Sequence, residues 1–192
     1  MDINNKKDIL KLQDKLKRKL SDSRYLHTIG VAYTAGSLAM KYSCDINTAV
    51  AAGLLHDCAK YMSGEEMLDR AKEIKLDISK AELSKPDLLH AKLGSYFAKE
   101  KYDIKDPEIL SAIRWHTTGK PDMTLLEKII YIADYIEPGR DKMPRLDVIR
   151  KMAFEDIDKC LCMILEDSVI YLKESGMYID QLTIDTYEYY CK

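Results

Sequence analysis

A chain of 192 residues, 46 % of them hydrophobic, holds enough apolar material for the core of one globular domain. With 30 basic against 32 acidic side chains it has no overall attraction for nucleic acid, and no apolar run approaches the ~18 residues of a membrane span. The N-terminal MDINNKKDILKLQDKLKRKL lacks the apolar stretch of a secretory signal, and the five cysteines (Cys44, Cys58, Cys160, Cys162, Cys191) show no CxxC pair, so a cytoplasmic protein with reduced thiols is expected.

Apolar residues recur at helical spacing throughout, and no run alternates β-branched residues between turn signals, so the reading is all-α. Ile9, Leu12, Leu16 and Leu20 form the stripe of a first helix whose other faces carry Lys6, Lys7, Lys11, Lys15, Lys17, Arg18 and Lys19, a solvated basic surface. Ser21 or Ser23 caps a second helix through RYLHTIGVAYTAGSLAMKY, and Asn47 caps a third, TAVAAGLLHDCAK. Ser63 followed by Glu66 makes a capping box ahead of GEEMLDRAKEI. A helix starting near Pro86 takes in DLLHAKLGSYFAKEKY. Asp106 as cap and Pro107 in the first turn then open PEILSAIRWHTTG, with Gly119 as its stop. Thr124 and Glu127 form another box before LLEKIIYIADYIE, which Pro138 ends. Two further helices over 146–153 and 156–175 stop at Gly176, and the tail IDQLTIDTYEYYCK reads as helical or frayed. No internal period and no linker rich in Gly, Pro or Ser divides the chain, so one domain over 1–192 is expected.

The four histidines, His27, His56, His90 and His116, each fall within or at the end of a different predicted helix. Singly, a histidine is more often a half-buried helix residue with one hydrogen bond than a ligand; the distribution of all four invites a common centre. His56 and Asp57 stand side by side after the apolar run from Ala49 to Leu55. Neighbours on a helix point about 100° apart, so both cannot serve one packing face. Asp57 therefore reaches water or meets a cation, because an unpaired buried charge costs several kcal/mol. A carboxylate has two oxygens and can bridge two metals, where imidazole offers one nitrogen to each; mixed His and Asp donors with open positions suit catalytic iron, manganese or zinc. Asp134 lies with Glu127 and Tyr131 off the apolar face of its helix, and periodicity leaves it facing either solvent or that centre. HTTGK lacks the strand and the GxxxxGK(S/T) spacing of a phosphate loop and is not read as one.

The ordered set His27, His56-Asp57, His90, His116, Asp134, with its flanking text RYLHTIGVAYTA, AAGLLHDCAK and WHTTGKPDMTLLEKIIYIADYIEPGR, resembles the HD-domain superfamily of metal-dependent phosphohydrolases, and within it the bacterial YqeK-type proteins. The resemblance runs over 24–140. It implies an all-α HD-type bundle with its core over about 21–140 and additional helices over 144–192. It also implies a pair of divalent metals, iron in that family with manganese or zinc as alternatives. His27, His56, Asp57 and Asp134 would hold one metal, and Asp57 would bridge to a second held by His90 and His116. Arg24, Lys60, Thr117 and Arg140 would contact phosphate or nucleotide, with Asp57 and Lys60 the catalytic groups.

The activity implied is symmetrical hydrolysis of diadenosine tetraphosphate to two ADP by a metal-activated water. Other HD branches act on guanosine alarmones, cyclic dinucleotides or deoxynucleotides, but their longer motif sets are not visible here. A metal-dependent nucleotide binder without turnover would have no need of all six donors. After Arg140 the chain runs DKMPRLDVIR where the family text leads one to expect a Pro-Gly turn, which leaves Arg145 without an assigned role. The expected partner is a nucleotide, not a nucleic acid or a membrane, and the tyrosine-rich, apolar C-terminal stretches leave a homodimer open.

Overall fold

Eleven α-helices and one 3-10 turn make up the regular structure of the computed structural model, which describes every residue from Met1 to Lys192 and contains no strand. The helices are α1 (Lys6–Lys19), α2 (Asp22–Tyr42), α3 (Ile46–Leu55), α4 (Gly64–Glu73), α5 (Lys80–Ser84), α6 (His90–Tyr102), α7 (Pro107–Trp115), α8 (Leu125–Ile136), α9 (Leu146–Met152), α10 (Ile157–Glu174) and α11 (Gln181–Cys191). The 3-10 turn, Pro86–Leu89, leads into α6. No helix is long and apolar enough to cross a membrane.

Local chemistry sets most of the boundaries. Ser63 with Glu66 and Thr124 with Glu127 form complete capping boxes, and the Asp106 side chain accepts from the Glu108 amide with Pro107 behind it. Three expectations need correction. The cap of α3 is Asp45, whose carboxylate accepts from the Thr48 amide at 2.7 Å, while the Asn47 amide turns away to donate to Asn4. α3 stops at Leu55 rather than at Lys60, and the chain continues as turns in which the Cys58 and Lys60 amides bond three residues back. The segment from Pro86 starts as a 3-10 turn and becomes α-helical only at His90. A further capping box, Ser79 with Glu82, opens the short α5, which the sequence reading passed over. The tail is helical, with Asp180 as its cap.

The packing order positions the site. α2 lies along α3 and α8, α3 also packs on α7 and α8, and α6 packs on α7. Small residues let the first of these pairs approach closely: Ala32, Ala35, Gly36 and Ala39 of α2 are buried, as are Ala49, Ala52 and Gly53 of α3. A Cβ on Gly53 would stand 2.7 Å from the Ala32 Cα, so only glycine permits this crossing. Leu38, Leu54, Leu55, Leu93, Phe97, Ile113, Ile129 and Ile130 fill one hydrophobic cluster beneath the site. α10 covers α8 and α9, and α11 lies on α10.

The cysteines also depart from expectation. Cys162 of α10 and Cys191 of α11 are paired as a disulfide with their Cα atoms 5.3 Å apart, while Cys44, Cys58 and Cys160 are free. Two helices that pack side by side bring together residues that no sequence spacing would couple.

Candidate metal centre

Three of the four histidines use one local device. The Nδ1 atoms of His56, His90 and His116 lie 2.7, 2.6 and 2.7 Å from the carbonyl oxygens of Gly53, Asp87 and Ile113, each three residues earlier. A carbonyl only accepts, so each Nδ1 carries the hydrogen and donates it, and in the neutral ring Nε2 is a bare lone pair. His27, one turn into α2, reaches the same state by a different partner: its Nδ1 lies 3.0 Å from the Glu137 Oε1 carboxylate oxygen.

All four Nε2 atoms turn inward. His56 Nε2 is 3.3 Å from His27 Nε2, and His90 Nε2 is 3.1 Å from His116 Nε2. Two carboxylates enter the same space. Asp57 Oδ1 lies 3.3 Å from His90 Nε2 and 3.7 Å from His116 Nε2, and its Oδ2 lies 3.8 Å from His56 Nε2. Asp134 Oδ1 lies 3.0 Å from His27 Nε2 and 3.9 Å from His56 Nε2. Every one of these atoms is an acceptor, and the assembly has no hydrogen to share unless a ring is protonated. Such a set fits cations. Donor atoms of His27, His56 and Asp134 lie within 4.8 Å of one another, as do those of His56, Asp57 and His116, so two positions share His56 and the two oxygens of Asp57 face both sides.

Burial and charge act in opposition here. Burial pushes the His56 imidazolium down and takes that of His90 down to about 3, opposed in each by the Asp57 carboxylate. Burial also lowers His27, but the Asp134 and Glu137 carboxylates more than offset it and its pKa is raised. For Asp57 burial works against the charged form, yet the surrounding histidines, His56 foremost, hold its carboxyl well below the ordinary range. Asp134 is likewise lowered against the effect of burial, chiefly through His27.

Above these donors opens a cleft of about 530 Å³ with a single apolar lining residue, Met143. The sequence-predicted contacts Arg24, Lys60, Thr117 and Arg140 all line it. Arg24 Nη1 is 3.7 Å from Asp57 Oδ2. Burial lowers the Lys60 ammonium, opposed by the Asp57 carboxylate. Arg140 is more than a free cation, because its Nη2 donates to Asp134 Oδ1 at 2.7 Å and its Nε to the Asp134 carbonyl at 2.9 Å. Arg145 stands elsewhere, bonded to Asp167, Glu166 and the Met163 carbonyl on α10.

Two residues that sequence reasoning missed complete the frame. Glu137, 3 % exposed, accepts from His27 with one oxygen and from the Gly139 amide at 2.6 Å with the other. Arg150 donates to the carbonyls of Ile136, Glu137 and Arg140 and so ties down the turn that carries Glu137. The available signal for Glu137 was its place three residues after Asp134, on the same helix side.

The model of the HD domain matches residues 24–139. The chain belongs to the HD-domain family. As an HD-domain protein it is expected to use a divalent metal, and the donor set just described suits one. The chain is 37 % identical over 174 residues, 91 % of its length, to the symmetrical bis(5'-nucleosyl)-tetraphosphatase of Bacillus subtilis, of which the match covers 92 %. It is 40 % identical over 172 residues to the protein of the same name from Halalkalibacterium halodurans, covering 90 % of this chain and 91 % of that one. A crystal structure described as a predicted HD superfamily hydrolase involved in NAD metabolism, from Clostridium acetobutylicum, superposes with a TM-score of 0.89 at 40 % identity over 93 % of this chain and 94 % of its own. The YqeK-type resemblance and the all-α HD fold expected from the sequence are thereby borne out.

Proposed function

We propose that this HD-domain protein hydrolyses dinucleoside tetraphosphates, diadenosine tetraphosphate above all, symmetrically to two nucleoside diphosphates. The observation that carries the reading is the convergence of four bare imidazole nitrogens and two carboxylates on the floor of a cleft walled by Arg24, Lys60 and Arg140. The relatives named for this activity align over about nine-tenths of the chain.

In this reading His27, His56, Asp57 and Asp134 would hold one divalent cation, and Asp57, His90 and His116 would hold a second. Iron is the metal we favour, with manganese or zinc compatible with the same His and Asp donors. Divalent cations in that place supply Lewis acidity toward water and toward phosphoryl oxygens. The protein supplies the rest. Asp57 and Asp134 orient the donors and balance charge, and Arg24 forks toward phosphate oxygens at the cleft wall. Lys60, partly desolvated, places its ammonium where charge collects on the departing diphosphate. ADP leaves as a stable anion, so positioning and electrostatics count for more than a general acid. Thr117 offers a hydroxyl to the phosphate chain, and Arg140 couples that chain to Asp134.

The deciding experiment is product chromatography after the protein, purified without chelator and analysed for metal, is incubated with diadenosine tetraphosphate. Two ADP per substrate is the expected result. ATP plus AMP would overturn it, tight binding without turnover would make the protein a binding module, and faster cleavage of a guanosine alarmone or a cyclic dinucleotide would move it to another HD activity.

A further inference from the structure

A second cavity, of about 300 Å³, lies beside the metal cleft, and Thr117 lines both. His90 faces the cleft, while its neighbours Ala91 and Lys92 line the cavity together with Arg114 and Trp115, the residues that precede His116. The start of α11 closes the far side through Asp180, Gln181 and Leu182. The cavity therefore adjoins the half of the donor set formed by His90 and His116, away from the wall that carries Arg140.

Its chemistry differs from that of the cleft. The Arg114 guanidinium lies over the Trp115 indole with its carbon 4.9 Å from the ring centroid and makes no ion pair, and both side chains line the cavity as a polarisable pair. Such a surface stacks a heteroaromatic base. Charge argues against a polyphosphate: Asp77, Glu82 and Asp180 face only two cations, Lys92 and Arg114, and Lys92 is already held by Glu82 at 2.7 Å. Asp180 already accepts from the Ser79 hydroxyl and the Leu182 amide, and Glu82 from the Ser79 amide and Lys92, so Asp77 is the carboxylate open to accept from an exocyclic amine. The volume sits at the lower end of the ~300–1,000 Å³ usual for small-molecule sites, room for a base rather than a whole nucleotide.

Symmetrical cleavage puts the middle of the phosphate chain at the metal pair, so two identical nucleoside halves must leave it in different directions. The cleft takes one of them. We propose that the cavity beside it is the subsite for the purine of the other half: the base stacks on the Arg114–Trp115 pair with its amino group toward Asp77, and the phosphate chain passes Thr117 to reach the donors. This subsite rests on the function proposed above.

The test compares diadenosine tetraphosphate with adenosine 5'-tetraphosphate, which has the same phosphate chain and lacks the second nucleoside, on the metal-loaded full chain. Trp115→Ala should raise KM for the dinucleotide about tenfold more than for the mononucleotide, the order of one lost base stack, with kcat nearly unchanged. Arg114→Gln, which removes no ion pair and so spares folding, should shift KM in the same direction. If the wild type yields two ADP while both variants shift the two KM values equally or not at all, the subsite falls and the activity stands. If the wild type cleaves neither nucleotide, the activity falls and the subsite with it.

Discussion

Glu137 Oε1 stands 3.0 Å from His27 Nδ1, and it is the one carboxylate among the four Nδ1 partners; the other three histidines donate to backbone carbonyls. The difference makes the His27 Nε2 more basic, because a carboxylate behind an imidazole favours positive charge on the ring, and the His27 pKa is raised. The backbone makes room for it. A Cβ on Gly30 would run into the Glu137 carboxylate, and one on Gly139 would come within 3.0 Å of it.

Replacing Glu137 should therefore weaken the metal site without touching a donor atom. Glu137→Ala removes the acceptor and frees the His27 ring to flip; metal affinity, read by competition with a chromophoric chelator, is expected to fall about 10- to 100-fold. Glu137→Gln keeps a carbonyl acceptor but loses the charge, so a smaller loss is expected. Equal affinity in all three proteins would mean that the His27 tautomer does not depend on this contact.

Asp57 tests the sharing of one carboxylate between two cations. Its two oxygens face different histidines, Oδ1 toward His90 and His116 and Oδ2 toward His56. Asp57→Asn exchanges one oxygen for an amide nitrogen that can only donate, so one side must lose its donor. We expect at least one metal equivalent to disappear by metal analysis and turnover to drop by about 10²-fold or more. Full activity in this variant would sink the bridging assignment.

How far the site could be read from the chain depends on the range of the interaction involved. The caps at Ser63, Asp106 and Thr124 are built from neighbours three or fewer residues apart, and each appears as expected. The order of His27, His56-Asp57, His90, His116 and Asp134 marked the helices that converge, since these five positions fall within or at the end of five different helices. Asn47 reads as the cap from the sequence because both it and Asp45 can serve, whereas the Asn47 side chain is engaged by Asn4, 43 residues away along the chain. For Glu137 the spacing from Asp134 was a weak signal at best, because its role also needs the space left by Gly30 on another helix. Arg150 acts through carbonyl groups, which leave no sequence pattern at all.

The approach of α2 to α3 carries the His27–His56 pair and predicts a stability effect. On Gly53 a Cβ would meet the Ala32 backbone, which cannot swing aside as a side chain could. Gly53→Ala should therefore cost about 1–3 kcal/mol as overpacking, despite the better helix propensity of alanine. For a domain of this size that corresponds to roughly 2–12 °C in the thermal midpoint, measured by circular dichroism on metal-free protein so that lost ligand stabilisation is not counted. An unchanged or raised midpoint would show that the helices move apart without penalty.

The cysteines give a prediction with a pH dependence. Burial pushes the thiols of Cys58 and Cys160 up to about 12, and it also raises Cys44, which is only half-buried. The reactive species is the thiolate, and a raised pKa moves its formation to higher pH. At pH 8 a thiol of pKa about 12 is ionised to roughly one part in ten thousand, so in the native protein only Cys44 should react with a disulfide reagent on the scale of minutes. The rate at Cys44 should rise with pH, while Cys58 and Cys160 stay silent until the protein unfolds. Denaturation without reductant should then release three reactive thiols, and prior reduction five, because Cys162 and Cys191 are joined. Five thiols without reductant would mean that α11 is held to α10 by packing alone.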